Sequence, residues 1–242
     1  MADDIGERFW AETKHRRDSV GGRVLDWDSK PGTYKEYPNV PRTKLPPPGG
    51  SKGLSFEEVL LARRSGRSYS REAIGLTELS YLLIYSTGIT RRERGHEFRV
   101  VPSAGALYPI ETYLCVNRVE GLSPGIYHYD LRAHALERLR DGDNGEGMAA
   151  SALDQEMVAD SAVTFVWTSV FPRQMWKYGQ RAYRYIDLDA GHIGQNLALG
   201  CAAQGLAACH IAAFYDDEVN ALLGVDGIGE SAVYMTAVGR PR

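Results

Sequence analysis

Few cysteines, few histidines and almost no net charge mark this sequence, and each shortage excludes something. The chain of 242 residues has three cysteines, Cys115, Cys201 and Cys209. They show neither a CxxC spacing nor the paired spacing of a zinc site. Each lies in an apolar run, which predicts reduced core thiols in a soluble cytoplasmic protein. The six histidines, at 15, 96, 128, 134, 192 and 210, fall in no metal-ligand pattern, and no metal is expected. A formal net charge of -3 gives no general electrostatic reason for nucleic acid or an anionic membrane as partner. No apolar run reaches the length of a membrane span, and MADDIGERFW lacks a signal-peptide core. Neither a nucleotide-binding GxGxxG nor a P-loop is present, and no Ser-His-Asp set follows from spacing.

What the chain does have is one long apolar stretch rich in small residues. Residues 181–214 read RAYRYIDLDAGHIGQNLALGCAAQGLAACHIAAF. Ile186, Ala190, Ile193, Leu197 and Cys201 recur at helical spacing. Leu188, His192 and Leu199 fill a second face, so a helix apolar nearly all round and buried is expected. Its small residues let a backbone or a flat ligand come close, although each interior Gly costs about 1 kcal/mol relative to Ala. Gly205 reads as a left-handed stop, and residues 206–214 as a buried strand. At 43% hydrophobic, the chain can bury one large core without splitting into two domains.

Residues 1–53 carry Pro31, Pro38, Pro41 and the run Pro46-Pro47-Pro48-Gly49-Gly50, which argue against regular structure. Phe9, Trp10, Trp27, Tyr34 and Tyr37 are too many aromatics for a free tail. The expectation is an extended arm along the body or a second subunit, ahead of a domain over 54–242. Ser55 and Glu58 form a capping box, with Phe56, Val59 and Leu60 as the apolar face. That helix runs into Arg63, Arg64, Ser65, Gly66, Arg67 and Ser68, which either hold a phosphate by charge-assisted bonds or form a solvated basic turn. A second helix from Thr77 buries Leu79, Leu82 and Leu83 and stops at Gly88, and residues 90–97 read as an exposed charged loop. Pro102 and Pro109 bracket Ser103, Ala104, Gly105 and Ala106, a loop that offers backbone N–H groups to something flat or anionic, or simply a tight connection. The remaining expectations are strands over 112–117, 125–130, 135–139, 161–170 and 231–238, a turn over 141–145, a helix over 151–160 and an irregular stretch over 171–180. This irregular order is α+β.

Several of these stretches, in this order, resemble the SagB/ThcOx-type dehydrogenases of the nitroreductase superfamily. They are RRSGRSYS, LTELSYLLIYSTGI, PSAGALYPIETYL, PGIYHYD, KYGQRAYRYIDLDAGHIGQNLALGCAAQGL and VYMTAVG. ETKHRR, LDWDSKP and YKEYP extend the likeness to nearly the whole chain. The resemblance implies a nitroreductase fold, with a central mixed, mainly antiparallel sheet flanked by helices. It also implies FMN as cofactor and an intertwined homodimer with flavin sites at the interface. By the same resemblance Arg63, Ser65 and Arg67, with Arg64 beside them, contact the flavin phosphate and the pyrimidine side of the ring. Pro102, Ser103, Ala104 and Gly105 lie against the isoalloxazine, and a backbone N–H near Ala212 and Ala213 faces flavin N5. Lys177 and Tyr178 match the Lys-Tyr pair of azoline oxidases, a pair that otherwise reads as a surface lysine and a packing tyrosine. A departure lies at the C-terminus, where nitroreductases carry basic phosphate ligands and this chain offers Arg240. The implied activity is dehydrogenation of a heterocycle, azoline to azole, in a peptide-derived substrate delivered by partner biosynthetic proteins. An NAD(P)H-dependent nitro or quinone reductase on the same fold, and a non-catalytic partner protein, are the alternatives.

Overall fold

The computed structural model describes residues 4–18 and 24–242. In chain order, α1 spans Ile5–Glu12 and β1 spans Arg42–Lys44, and α2 (Phe56–Ala62) and α3 (Leu76–Thr87) follow. A hairpin of β2 (Ile89–Glu93) and β3 (His96–Arg99) leads to β4 (Ile110–Val116), β5 (Gly125–Asp130) and β6 (Ala135–Asp141). Next come α4 (Gly145–Ser151), α5 (Glu156–Asp160) and β7 (Val163–Val170). The last third holds α6 (Phe171–Tyr178), α7 (Ala182–Gln204), β8 (Ala207–Ile211), α8 (Asp216–Leu223) and β9 (Glu230–Gly239).

Seven strands form one sheet in the order β1-β6-β5-β4-β7-β9-β8, and every ladder in it is antiparallel. The α+β expectation therefore holds. Every residue of β4 is buried, and all but the last of β7, because helices cover both faces. Strand alternation divides the side chains. Leu114, Phe165 and Trp167 pack with Leu79, Leu82, Ile186 and Leu197 of α3 and α7. Tyr113, Cys115 and Val166 pack with Met148, Val158, Val219 and Leu223 of α4, α5 and α8. All three cysteines are buried thiols, and among the described residues no helix is long and apolar enough to cross a membrane.

α7 forms where expected and ends on Gly205, at φ 65 and ψ 27. Its first stripe is buried, but the second face is not. Leu188 is 59% exposed and His192 is exposed as well, because the sheet and α3 occupy only one side of the helix. The same correction applies to α2. Its capping box is present, yet of its apolar face only Val59 is buried, while Phe56 stands 66% exposed and the neighbouring Leu61 88% exposed.

The N-terminal segment is more regular than its prolines suggest. Asp4 caps α1 by accepting from the Gly6 and Glu7 N–H groups, and β1 adds an edge to the sheet by pairing with β6. Between them the chain does lie along the body. The Tyr34 hydroxyl donates to Glu97 at 2.6 Å, Lys35 reaches Glu230, and the Trp176 indole donates to the Asp26 carbonyl. Three further expectations change. Residues 90–97 fold into the β2–β3 hairpin, residues 151–160 give the end of α4, a turn and the short α5, and residues 171–178 form α6, which carries Pro172 in its first turn. α8 was not anticipated.

Candidate functional site

The basic turn after α2 is zipped onto the free edge of β8. Gly66 N–H donates to the Ala208 carbonyl at 3.0 Å, and Ser65 bridges Ala208 in parallel. A Cβ on Gly66 would stand 2.8 Å from the Ala207 Cβ, so the approach requires glycine. Tyr69, buried, secures the turn by contacts of its hydroxyl with the Gly66 and Ala237 carbonyls. Arg63, Arg64 and Arg67 thereby line a cavity of about 310 Å³ whose wall includes Ala198 and Ala202 of α7. Among the described residues none of the three forms an ion pair with a carboxylate. Their field is felt nearby: His210 titrates below its usual range through burial and then the Arg63 charge.

Arg240 is turned elsewhere. Its guanidinium donates to the Ala73 carbonyl at 3.0 Å and to Glu78 at 2.9 Å. Lys52 supplies a further cation, one that no local pattern marks. Its Nζ lies 2.5 Å from where a Gly205 Cβ would stand, and Gly205 borders the same cavity. The cause is tertiary, since the Lys52 N–H is held by the Ala203 carbonyl.

The small-residue loop is held from beneath by Asp189 of α7. Ser103 donates its hydroxyl to Asp189 at 2.6 Å, Ala104 its N–H at 3.3 Å, and Gln174 its amide at 3.1 Å. Ser103 in turn accepts from Tyr108 N–H at 3.0 Å. Two of the loop's polar groups are thus engaged within the chain. Burial raises the Asp189 carboxyl above its usual range, and these three donors oppose the shift. An acid on the buried stripe of an apolar helix was the available signal for Asp189, and sequence reasoning passed over it. Pro102, Ser103 and Ala104 border a cavity of about 260 Å³ against Tyr185, Leu188 and His192.

Gly105 joins this loop to α6. It adopts φ 65, and a Cβ there would meet the Tyr178 hydroxyl at 2.6 Å and the Lys177 Nζ at 3.1 Å. Both side chains of the Lys-Tyr pair therefore rest on Gly105. The Lys177 Nζ is 5.4 Å from the Tyr178 ring centroid. The Tyr178 ring meets Tyr185 edge-on at 4.9 Å, and Arg181 donates to the Tyr185 hydroxyl. Ala212 and Ala213 follow β8 and are exposed. Within one chain the arginine turn and the Gly105 loop stay apart, because they contact α7 at Ala198–Ala202 and at Asp189. At a 1.5 Å rise per residue that separation is roughly 14–20 Å.

The sequence pattern of the Nitroreductase family matches residues 60–240. The chain belongs to the nitroreductase family. Among relatives, the candidate nitroreductase MJ1384 of Methanocaldococcus jannaschii is 36% identical over 77% of this chain and 91% of its own length. The trifolitoxin-processing protein TfxB of Rhizobium leguminosarum bv. trifolii is 31% identical over 65% of this chain and 42% of its own. Among solved structures, a candidate nitroreductase from Anabaena variabilis superposes with a TM-score of 0.77 at 28% identity, covering 97% of this chain and 46% of that one. The Escherichia coli microcin synthetase McbBCD, in complex with truncated pro-MccB17, gives a TM-score of 0.64 at 20% identity, over 100% of this chain and 84% of that one, and shows the fold alone. This chain thus spans nearly all of MJ1384 but less than half of TfxB and of the Anabaena protein. The nitroreductase fold and the SagB-type resemblance of the motifs both hold, and the chain is a nitroreductase-family oxidoreductase.

In this nitroreductase-family chain the residues fit a phosphorylated flavin. An arginine cluster without carboxylate partners among the described residues lines a cavity beside a close-packed glycine turn, and guanidinium forks match phosphate oxygens.

Proposed function

We propose that this protein is an FMN-dependent oxidoreductase that dehydrogenates a heterocycle, azoline to azole, in a peptide-derived substrate. The observation that carries the reading is the meeting of Lys177 and Tyr178 on Gly105. An amine and a phenol from one helix converge there on a small-residue loop that borders a cavity. FMN, when bound, supplies hydride acceptance. Arg63, Arg64 and Arg67 would hold its phosphate. The chain's own work is to remove the accompanying Cα proton, which the neutral Lys177 amine accepts to become an ammonium, and to orient the ring, for which the Tyr178 hydroxyl serves. Asp189 keeps the loop in place through Ser103 and Ala104.

The reading includes a homodimer. The phosphate cavity and the Gly105 loop lie at different stations of α7, and apolar side chains on α2 and α7 stand uncovered. A second copy laid against α7 would supply cover and bring one chain's arginines to the other's loop. Delivery by biosynthetic partners is supported by the fold shared with the microcin synthetase complex and by the similarity to TfxB. The similarity to MJ1384 favours a second reading, an NAD(P)H-dependent nitro or quinone reductase.

The visible spectrum of the purified protein is the test. A flavin band is expected, and Arg63→Ala with Arg67→Ala should yield folded, largely colourless protein. A colourless wild type, or full flavin occupancy in the double variant, sinks the assignment. Steady NADPH consumption with a nitroaromatic moves the reductase reading ahead.

A further inference from the structure

A second cavity is about twice the size of the arginine-lined one. A cleft of about 650 Å³ starts at Gly105 and Lys177 and runs outward between three elements that meet only in the folded chain. The arm contributes Trp27 and Lys30, the β2–β3 hairpin Arg92 and Phe98, and α6 Trp176 and Lys177. Its volume far exceeds one five-membered ring, so a substrate reacting at Lys177 has room to continue through it.

Its walls define what fits. The Trp27 and Trp176 rings meet edge-on at 5.2 Å, and the Trp176 indole N–H is anchored on the Asp26 carbonyl at 2.7 Å. Lys30 Nζ lies 5.8 Å from both ring centroids and has no carboxylate partner among the described residues. Elsewhere in the lining Arg92 and Arg132 both turn to Glu97, at 2.9 and 3.3 Å, which also accepts from the Tyr34 hydroxyl. Those contacts, the Tyr34 bond first and then Arg92, hold the Glu97 carboxyl below its usual range. The lining therefore has three cations, Lys30, Arg92 and Arg132, beside the Lys177 amine, against one carboxylate. Aromatic faces beside unbalanced cations recognise apolar or aromatic groups next to carboxylates.

We infer that this cleft binds an extended peptide flank carrying acidic and aromatic residues, and so selects the substrate by sequence next to the reacting ring. The inference rests on the peptide reading of the Lys177 site, and its test is independent of turnover. The probes are two fluorescein-labelled ten-residue peptides, one of Glu, Phe and Gly and the other with every Glu replaced by Gln. Anisotropy is measured on the full chain as purified, at low salt. The Glu peptide should bind at least tenfold tighter, and Lys30→Glu should cut that preference about five- to tenfold while the Gln peptide is unaffected. Should Lys30→Glu fold poorly, salt serves instead: the Glu peptide's affinity should fall steeply between 50 and 500 mM NaCl and the Gln peptide's should not.

Equal binding of the two peptides, or an undiminished preference in Lys30→Glu, overturns the inference. So does displacement of the Glu peptide by NADPH at concentrations below the peptide's own dissociation constant, since that would assign the cleft to a nicotinamide nucleotide. A protein without a flavin band that keeps the acidic preference would remove the proposed function and leave this inference standing. A flavoprotein without the preference does the reverse.

Discussion

Replacing Gly105 by Ala probes the site without needing its substrate. Two costs should appear. The residue sits at φ 65, where an L side chain pays about 1 kcal/mol. Its new methyl would also stand 2.6 Å from the Tyr178 hydroxyl and 3.1 Å from Lys177 Nζ. These are ends of partly exposed side chains, so the steric cost should lie near the low end of overpacking, about 1 kcal/mol. Together, about 2 kcal/mol corresponds to a Tm loss of about 4–8 °C in a chain of this size. The assay is a double-mutant cycle by urea unfolding, with Gly105→Ala, Tyr178→Ala and both. In the Tyr178→Ala background the methyl has room, so Gly105→Ala should cost only the backbone part, about 1 kcal/mol. The coupling of about 1 kcal/mol is the direct measure of contact. Strict additivity, or no cost for Gly105→Ala alone, would refute the placement of the Lys-Tyr pair on this loop.

Lys177→Ala should lower dehydrogenation by ~10²–10⁴-fold with flavin content unchanged. Lys177→Arg, which keeps the charge but does not accept a proton near neutrality, should be equally impaired, and near-full activity there would make Lys177 an electrostatic anchor. Sedimentation at low micromolar concentration should show only dimer, with Leu188→Asp shifting it towards monomer; a stable flavin-loaded wild-type monomer rejects the dimer. Burial alone would raise the Glu111 carboxyl, but the His128 hydrogen bond and the Arg173 charge hold it at about 2, below its ordinary 4.5. A depressed carboxyl contributes stability above 4.5 that is lost as pH falls towards 2, so urea midpoints should drop across that window. Arg173→Ala, which leaves Glu111 buried with one partner fewer, should cost about 3–5 kcal/mol at pH 7, and a loss under 1 kcal/mol would contradict the pairing.

Local patterns carried the parts of the fold that local physics decides. The Ser55–Glu58 box, the αL stop at Gly205 and the β5–β6 pair all form as read. α6 reads as irregular in sequence because its buried residues are Arg173 and Gln174, so no apolar stripe marks it as helical. In the β2–β3 hairpin, β2 is exposed beyond Ile89 and β3 passes from exposed to buried, without the alternation that betrays a strand. α1 buries nothing. At the site, resemblance pointed to Lys177 and Tyr178, but their contact with Gly105 joins segments about seventy residues apart and leaves no local trace. Arg240 shows the converse. A terminal arginine looks available in sequence, and only the fold reveals that Glu78 has engaged it.

The small residues of α7 invited a single explanation, close approach, and the structure divides it. A Cβ on Gly194 would meet the Tyr234 ring at 2.8 Å, and one on Gly200 would meet Leu82 at 3.3 Å. Those two glycines serve the chain's own packing. Gly191 has nothing within 4 Å of such a Cβ and lies beside Leu188 and His192 on the uncovered face. In a lone chain it would weaken the helix by about 1 kcal/mol relative to Ala with no contact in return. A second surface pressed against this face turns that loss into close backbone approach. The same face carries the exposed Leu188 and borders the loop cavity at His192. The glycine that makes least sense in one chain therefore marks where the proposed second copy would come nearest.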